Sequence, residues 1–71
     1  MPENEYVVVD RVFGWQLEIG DWVLIGECPA KIVEVVDDDN WMMAFKVTDQ
    51  NDDEDIFRVK TDETVEVIGW L

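Results

Sequence analysis

One stretch of this 71-residue chain alternates clearly between two faces: Trp41-Met42-Met43-Ala44-Phe45-Lys46-Val47-Thr48. In an extended strand, successive side chains point to opposite sides of the sheet. One face would therefore carry Trp41, Met43, Phe45 and Val47, and the other would carry the remaining four residues. A strand with one strongly apolar face predicts a sheet that buries this face in a core.

Short apolar runs bounded by Gly, Pro, Asp and Asn recur on both sides of this stretch, at intervals of about 8 to 12 residues. No window shows the apolar spacing of an amphipathic helix. A chain of this length makes one domain at most. We therefore predict a single all-β domain over residues 1–71, with five or six strands: Tyr6–Phe13, Trp22–Ile25, Ala30–Val36, Trp41–Thr48, Ile56–Lys60 and Thr64 to about Trp70.

The loop that follows this stretch also predicts a register for the next strands. Pairing Thr48 with Ile56 across the loop would place Lys46 opposite Arg58. The short turn at residues 61–63 would then place Arg58 opposite Glu66. We expect Arg58 and Glu66 to form a surface ion pair.

Three segments resemble parts of the small SH3-like barrels, particularly their Tudor and KOW versions. They are Leu17-Glu18-Ile19-Gly20-Asp21-Trp22-Val23, Ala30-Lys31-Ile32-Val33-Glu34-Val35 and Thr61-Asp62-Glu63-Thr64-Val65-Glu66-Val67. The resemblance implies an SH3-like barrel. A Tudor-type aromatic cage would draw on Trp15, Trp22, Trp41 and Tyr6. The chain departs from the KOW pattern, since the strand that would be basic there ends here in three aspartates.

Acidic residues dominate the charge of the chain. It contains 18 Asp and Glu against 5 Lys and Arg, which gives a formal charge of −13. A field of one sign steers encounters and selects partners of the opposite sign. We therefore predict a basic protein partner. The same charge disfavours direct binding to nucleic acid or to an anionic membrane.

Residue types argue against an enzyme. The chain lacks His and Ser, the most common general base and a common nucleophile. Its single thiol, Cys28, has no histidine to activate it and no partner for an intrachain disulfide. We predict a half-buried turn cysteine, no catalytic residues and no cofactor.

One segment begins like a calcium-binding loop, Asp49-Gln50-Asn51-Asp52-Asp53-Glu54-Asp55. Such a loop requires Gly at its sixth position and a bidentate Glu at its twelfth. Here these positions hold Glu54 and Lys60. We predict a solvated acidic hairpin tip without a dedicated metal site.

The four tryptophans divide between core and surface. Trp22 and Trp41 are expected in the core, because a buried tryptophan contributes a large apolar area. Trp15 lies in a loop and is a candidate for the surface. Trp70, followed by Leu71, either forms an exposed apolar anchor or covers the open end of the barrel; the sequence supports both interpretations.

These observations favour a non-enzymatic, cytosolic protein-interaction module that binds a basic protein. In its most specific form it is a bacteriophage-type inhibitor that mimics nucleic acid and blocks a nucleic-acid-binding protein. The alternatives are a Tudor- or SH3-like peptide-recognition barrel and a small structural subunit of a larger assembly; the oligomeric state is open. The predicted partner-binding residues are Asp37, Asp38, Asp39, Asp49, Asp52, Asp53, Glu54, Asp55, Asp62, Glu63, Trp15 and Trp70.

Overall fold

The computed structural model describes residues 5–71 and contains six strands and one short 3₁₀ helix. The polar N-terminal residues 1–4, which begin the predicted domain, lie outside the described residues. The elements are β1 (Tyr6–Phe13), the 3₁₀ helix η1 (Gly14–Gln16), β2 (Trp22–Ile25), β3 (Cys28–Asp38), β4 (Met42–Thr48), β5 (Glu54–Lys60) and β6 (Thr64–Trp70). The all-β prediction and the approximate positions of the six strands are confirmed.

The strands form a single antiparallel sheet in the order β1-β6-β2-β3-β4-β5. Strands β1 and β5 are its two edges, and no pairing within residues 5–71 joins them. The sheet is therefore open, and the closed barrel that we expected is not observed. After β1 the chain forms η1 instead of pairing with β5. The Gly14 N–H at the start of η1 donates to the Glu63 carbonyl at 2.8 Å.

The core lies on one face of this sheet. Two bulges in β3 bend the sheet. Phe45, Ile32 and Val23 are fully buried there. Met43 and Val47 join them, which confirms the apolar face predicted for three of its four residues. Trp41 was wrongly assigned to this core. It precedes the first paired residue of β4 and stands in the β3–β4 turn, with its side chain 81% exposed.

The observed register differs by two residues from the predicted one. Thr48 pairs with Glu54 and Ala44 with Arg58, because β5 begins two residues earlier than expected and the loop is correspondingly shorter. The predicted Arg58–Glu66 ion pair was wrong, because β5 and β6 are not neighbours in the sheet. Glu66 Oε2 instead accepts from Arg11 Nη2 at 3.0 Å across the β1–β6 pair.

The turn between β2 and β3 contains two residues with left-handed backbone, Gly26 (φ 55°) and Glu27 (φ 75°). This is the backbone of a two-residue hairpin turn, which suits Gly or Asn better than Glu at both positions.

We predict that Glu27→Gly stabilises the protein by roughly 0.5–1 kcal/mol through the release of strain. Chemical denaturation would measure this change. Glu27→Gln is the control, because it removes the same charge and retains the Cβ; an equal gain in that variant would contradict the strain explanation.

Candidate functional site

The sheet brings the predicted site residues, with the exception of Trp70, to two opposite ends. The β3–β4 turn and the β5–β6 turn lie at one end, because the Thr61 N–H donates to the Trp41 carbonyl at 3.0 Å. The loop between β4 and β5 lies at the other end, since β4 runs the length of the sheet from one to the other. Seven strand residues span roughly 23 Å. The loop carboxylates therefore form two separate groups.

The first group is here called the tryptophan end. It consists of two exposed tryptophans and five acidic residues: Trp15, Trp41, Asp37, Asp38, Asp39, Asp62 and Glu63. Thr61 holds it together. Its carbonyl accepts the Trp15 N–H at 3.4 Å, and its Oγ1 donates to the Asn40 carbonyl at 3.1 Å. The Thr61 N–H also donates to the Trp41 carbonyl. The backbones of both tryptophans are therefore held close together by hydrogen bonds to this one residue.

Gly14 sets the position of Trp15 within the tryptophan end. A Cβ at Gly14 would lie 2.5 Å from the Lys60 carbonyl oxygen and 3.1 Å from Val59 Cγ1, so only glycine allows this approach. The chain then turns through η1, and the Gln16 side chain accepts the Phe13 N–H at 2.9 Å. The entry to η1 is therefore packed directly against the end of β5.

The tryptophan end combines apolar area with surrounding charge. The Trp15 and Trp41 side chains are 61% and 81% exposed, and Met42 beside Trp41 is also exposed. Asp37 and Asp38 end β3, and Asp62 and Glu63 lie in the β5–β6 turn. Exposed aromatic residues with a charged rim are typical of protein-binding surfaces, in which aromatic side chains supply most of the binding energy.

The second group is here called the acidic hairpin and comprises residues 49–55. Asp49 does not project freely from it. Its Oδ1 accepts the Asn51 N–H at 2.8 Å and the Asp53 N–H at 3.0 Å, so this carboxylate shapes the loop. Asp52 has a left-handed backbone with φ 64°. Within residues 5–71, no three or more His, Cys, Asp or Glu side chains come together in a group that could hold a metal ion.

Trp70 lies in neither group. It packs edge-to-face against Tyr6 and Trp22, with ring centroids 5.6 and 5.0 Å apart. These three half-buried rings lie on the face of the sheet opposite the main core, whereas Leu71 is exposed. The four aromatics that a Tudor-type cage would use do not converge, since Tyr6 and Trp22 are in this cluster and Trp15 and Trp41 are at the tryptophan end.

A cleft of about 390 Å³ opens where β2 separates from β6. Pairing between these strands stops at Val23–Val67, and the cleft is lined beyond this point by Leu24, Ile25 and Val65. Arg11 and Glu66, the ion pair described above, also line it. Cys28 faces a second, smaller depression beside the acidic hairpin and is exposed, which corrects its expected half-buried position.

Sequence reasoning missed Trp41 as a candidate site residue. The available signal was its place directly after Asp37-Asp38-Asp39-Asn40, a run that favours a turn. The alternating pattern of the following residues concealed it, because Trp41 extends the apolar face of β4 by one more position without being part of the strand.

Comparison with known proteins finds no matching family model, no matching curated protein and no matching solved structure. Within residues 5–71, no helix has the length and apolar character needed to cross a membrane. The candidate function therefore depends on the chemistry of the surfaces described above.

Proposed function

We propose that this chain is a non-enzymatic, cytosolic protein-interaction module that binds a basic protein through its tryptophan end. The observation that carries the proposal is the joint placement of Trp15 and Trp41, both largely exposed, around Thr61. Exposed tryptophans in a fixed position can bury a large apolar area on binding with little loss of backbone freedom. The adjacent carboxylates would supply charge complementarity and fast association.

In its most specific form, the proposed module mimics nucleic acid. Asp37 and Asp38 are adjacent in a paired, extended strand, so their carboxylates point to opposite faces of the sheet. Asp39 follows them, and Asp62 and Glu63 lie in the neighbouring β5–β6 turn. These clustered carboxylates would occupy positions that phosphates take in the basic groove of a nucleic-acid-binding protein, as in phage-type inhibitors. The acidic hairpin, at the far end of β4, would contribute to the overall field.

We further propose that the open sheet is a variant of the SH3-like barrel. The two bulges in β3 and the short η1 that contacts β5 support this proposal, because bulges bend a strand and increase its twist. The fold would then present its turns as binding elements on a rigid sheet, an arrangement in which loops carry function and the scaffold positions them.

A peptide-recognition module is the second candidate, and the cleft between β2 and β6 favours it. Its volume of about 390 Å³ is within the range of ligand sites, and its walls include the apolar side chains Ile25 and Phe57. Such a module would bind an extended segment with modest dependence on salt. It would not require the exposed tryptophans of the tryptophan end.

An affinity capture from cytosolic extract tests the leading proposal. The immobilised protein is washed in parallel at low and moderate salt, and retained proteins are identified by mass spectrometry. We expect a basic nucleic-acid-binding protein that is lost as salt increases and is displaced by competing DNA or RNA. A partner that resists salt and is not displaced by nucleic acid would contradict the mimic and favour the peptide-recognition candidate.

A further inference from the structure

Strand β1 is the unprotected edge of the sheet. Beyond it no other strand pairs within residues 5–71, and three consecutive side chains, Val7, Val8 and Val9, are exposed. The opposite edge, β5, carries four charged residues: Glu54, Asp55, Arg58 and Lys60. Charged side chains on an edge strand discourage pairing with another chain, whereas an apolar edge invites it. Edge pairing is therefore expected at β1.

The ladder between β1 and β6 shows which backbone groups of β1 face the open edge. The Glu5 carbonyl accepts the Leu71 N–H at 3.0 Å, which makes Glu5–Leu71 a hydrogen-bonded pair. Such pairs recur at every second residue of an antiparallel ladder, so the Val7–Gly69 pair is the next one. The N–H and C=O groups of Tyr6 and Val8 therefore point away from β6 and require another strand as partner.

The charge distribution selects the chemistry of that partner strand. Strand β1 carries one acidic and one basic residue, Asp10 and Arg11, and has no net charge. Ten of the 18 acidic residues of the chain lie instead within residues 37–63. A cationic strand would therefore find no excess of negative charge at β1. The β1 strand of a second copy of this chain, which is also neutral and apolar, would meet no local repulsion there. Charges farther apart than about 8 Å are largely screened at physiological salt.

We infer that β1 pairs antiparallel with β1 of a second copy, across a twofold axis at Val7. Tyr6 of each copy then pairs with Val8 of the other, and each pair exchanges both backbone hydrogen bonds. The two Val7 side chains meet at the axis, where non-hydrogen-bonded residues approach most closely. The bulge between Val8 and Asp10 ends the matched segment. The paired segment is therefore short and the interface is small. Because a small interface binds weakly, the dimer forms only as the protein concentration increases.

Sedimentation equilibrium over a wide concentration range tests this inference. The wild-type protein is expected to change from the monomer mass to twice that mass as its concentration increases. Val8→Pro should remain a monomer throughout, because it removes an outward N–H and leaves the bonds to β6 intact. Val8→Thr, which retains the N–H, is the control and should still dimerise. Cooperative thermal unfolding would show that Val8→Pro is folded.

Amide hydrogen exchange of the unmodified protein provides a second measurement that does not depend on any variant. The Tyr6 and Val8 amides should exchange at least about tenfold more slowly in concentrated than in dilute solution, whereas the Val7 amide should be protected in both. A monomer at every concentration, with freely exchanging Tyr6 and Val8 amides, would overturn the inference. Protection of these two amides only after addition of a basic partner would also overturn it and would assign the edge to that partner.

Discussion

Trp41→Ala is expected to weaken binding to the captured basic protein by about tenfold or more. The Trp41 side chain is 81% exposed, so its loss should leave the melting temperature nearly unchanged. Its large apolar area would be buried only in the complex, beside the carboxylates of the tryptophan end. Isothermal titration calorimetry with the captured protein would measure the difference in affinity.

Leu71→Ala is the matched control for this prediction. Leu71 is also 81% exposed, and it lies on the chain after Trp70, outside the tryptophan end. It tests whether any exposed apolar side chain contributes to binding. Equal affinity of Trp41→Ala and the wild-type protein, or an equal loss in Leu71→Ala, would contradict the assignment of Trp41 as an anchor.

Gly14→Ala is expected to cause the largest loss of stability among the glycine variants. The new Cβ would lie 2.5 Å from the Lys60 carbonyl oxygen, and backbone at that distance can only be accommodated by a shift of β5 or η1. Forced overpacking of this kind costs roughly 1–3 kcal/mol. For a domain of this size, the corresponding fall in melting temperature is on the order of 10 °C. Circular dichroism during heating would measure it.

Gly69→Ala separates this close approach from the general effect of replacing glycine. A Cβ at Gly69 would meet only Val9 Cγ1, at 3.1 Å, and that side chain is exposed and can rotate away. We expect a change within about 0.5 kcal/mol, as for ordinary surface substitutions. Similar losses in Gly14→Ala and Gly69→Ala would show that Gly14 does not hold η1 against β5.

Local patterns in the sequence were sufficient to predict the strands. Strands β1 and β2 have the predicted boundaries, because Gly14 ends the first apolar run and Gly20-Asp21 and Gly26 bound the second. The pairing of strands could not be predicted in the same way. That β6 lies between β1 and β2 depends on contacts between residues far apart in sequence, and the same patterns fit several strand orders. The mistaken Arg58–Glu66 ion pair has this origin.

Only part of the candidate site could be predicted, because the grouping of its residues also depends on how the strands are arranged. The acidic residues were evident from composition, but their division between the tryptophan end and the acidic hairpin follows from the direction of β4. Asp49 illustrates a further limit, since a carboxylate that accepts two loop N–H groups has the same sequence signature as one that projects freely. Trp70 was assigned to the partner surface on its position, whereas the structure places it against Tyr6 and Trp22.

Two charge variants of equal size test most directly whether the tryptophan end is the binding surface. One variant combines Asp37→Asn, Asp38→Asn and Asp39→Asn, and the other combines Asp52→Asn, Asp53→Asn and Glu54→Gln in the acidic hairpin. Each variant removes three negative charges, so any difference between their affinities reports the position of those charges. Affinity for the captured basic protein would be measured for each at low and moderate salt.

We predict that the first variant loses about tenfold or more in affinity at low salt and shows a weaker salt dependence. The acidic-hairpin variant should bind nearly as well as the wild-type protein. Equal losses in the two variants would mean that only the overall charge attracts the partner. A larger loss in the acidic-hairpin variant would contradict the proposed site at the tryptophan end.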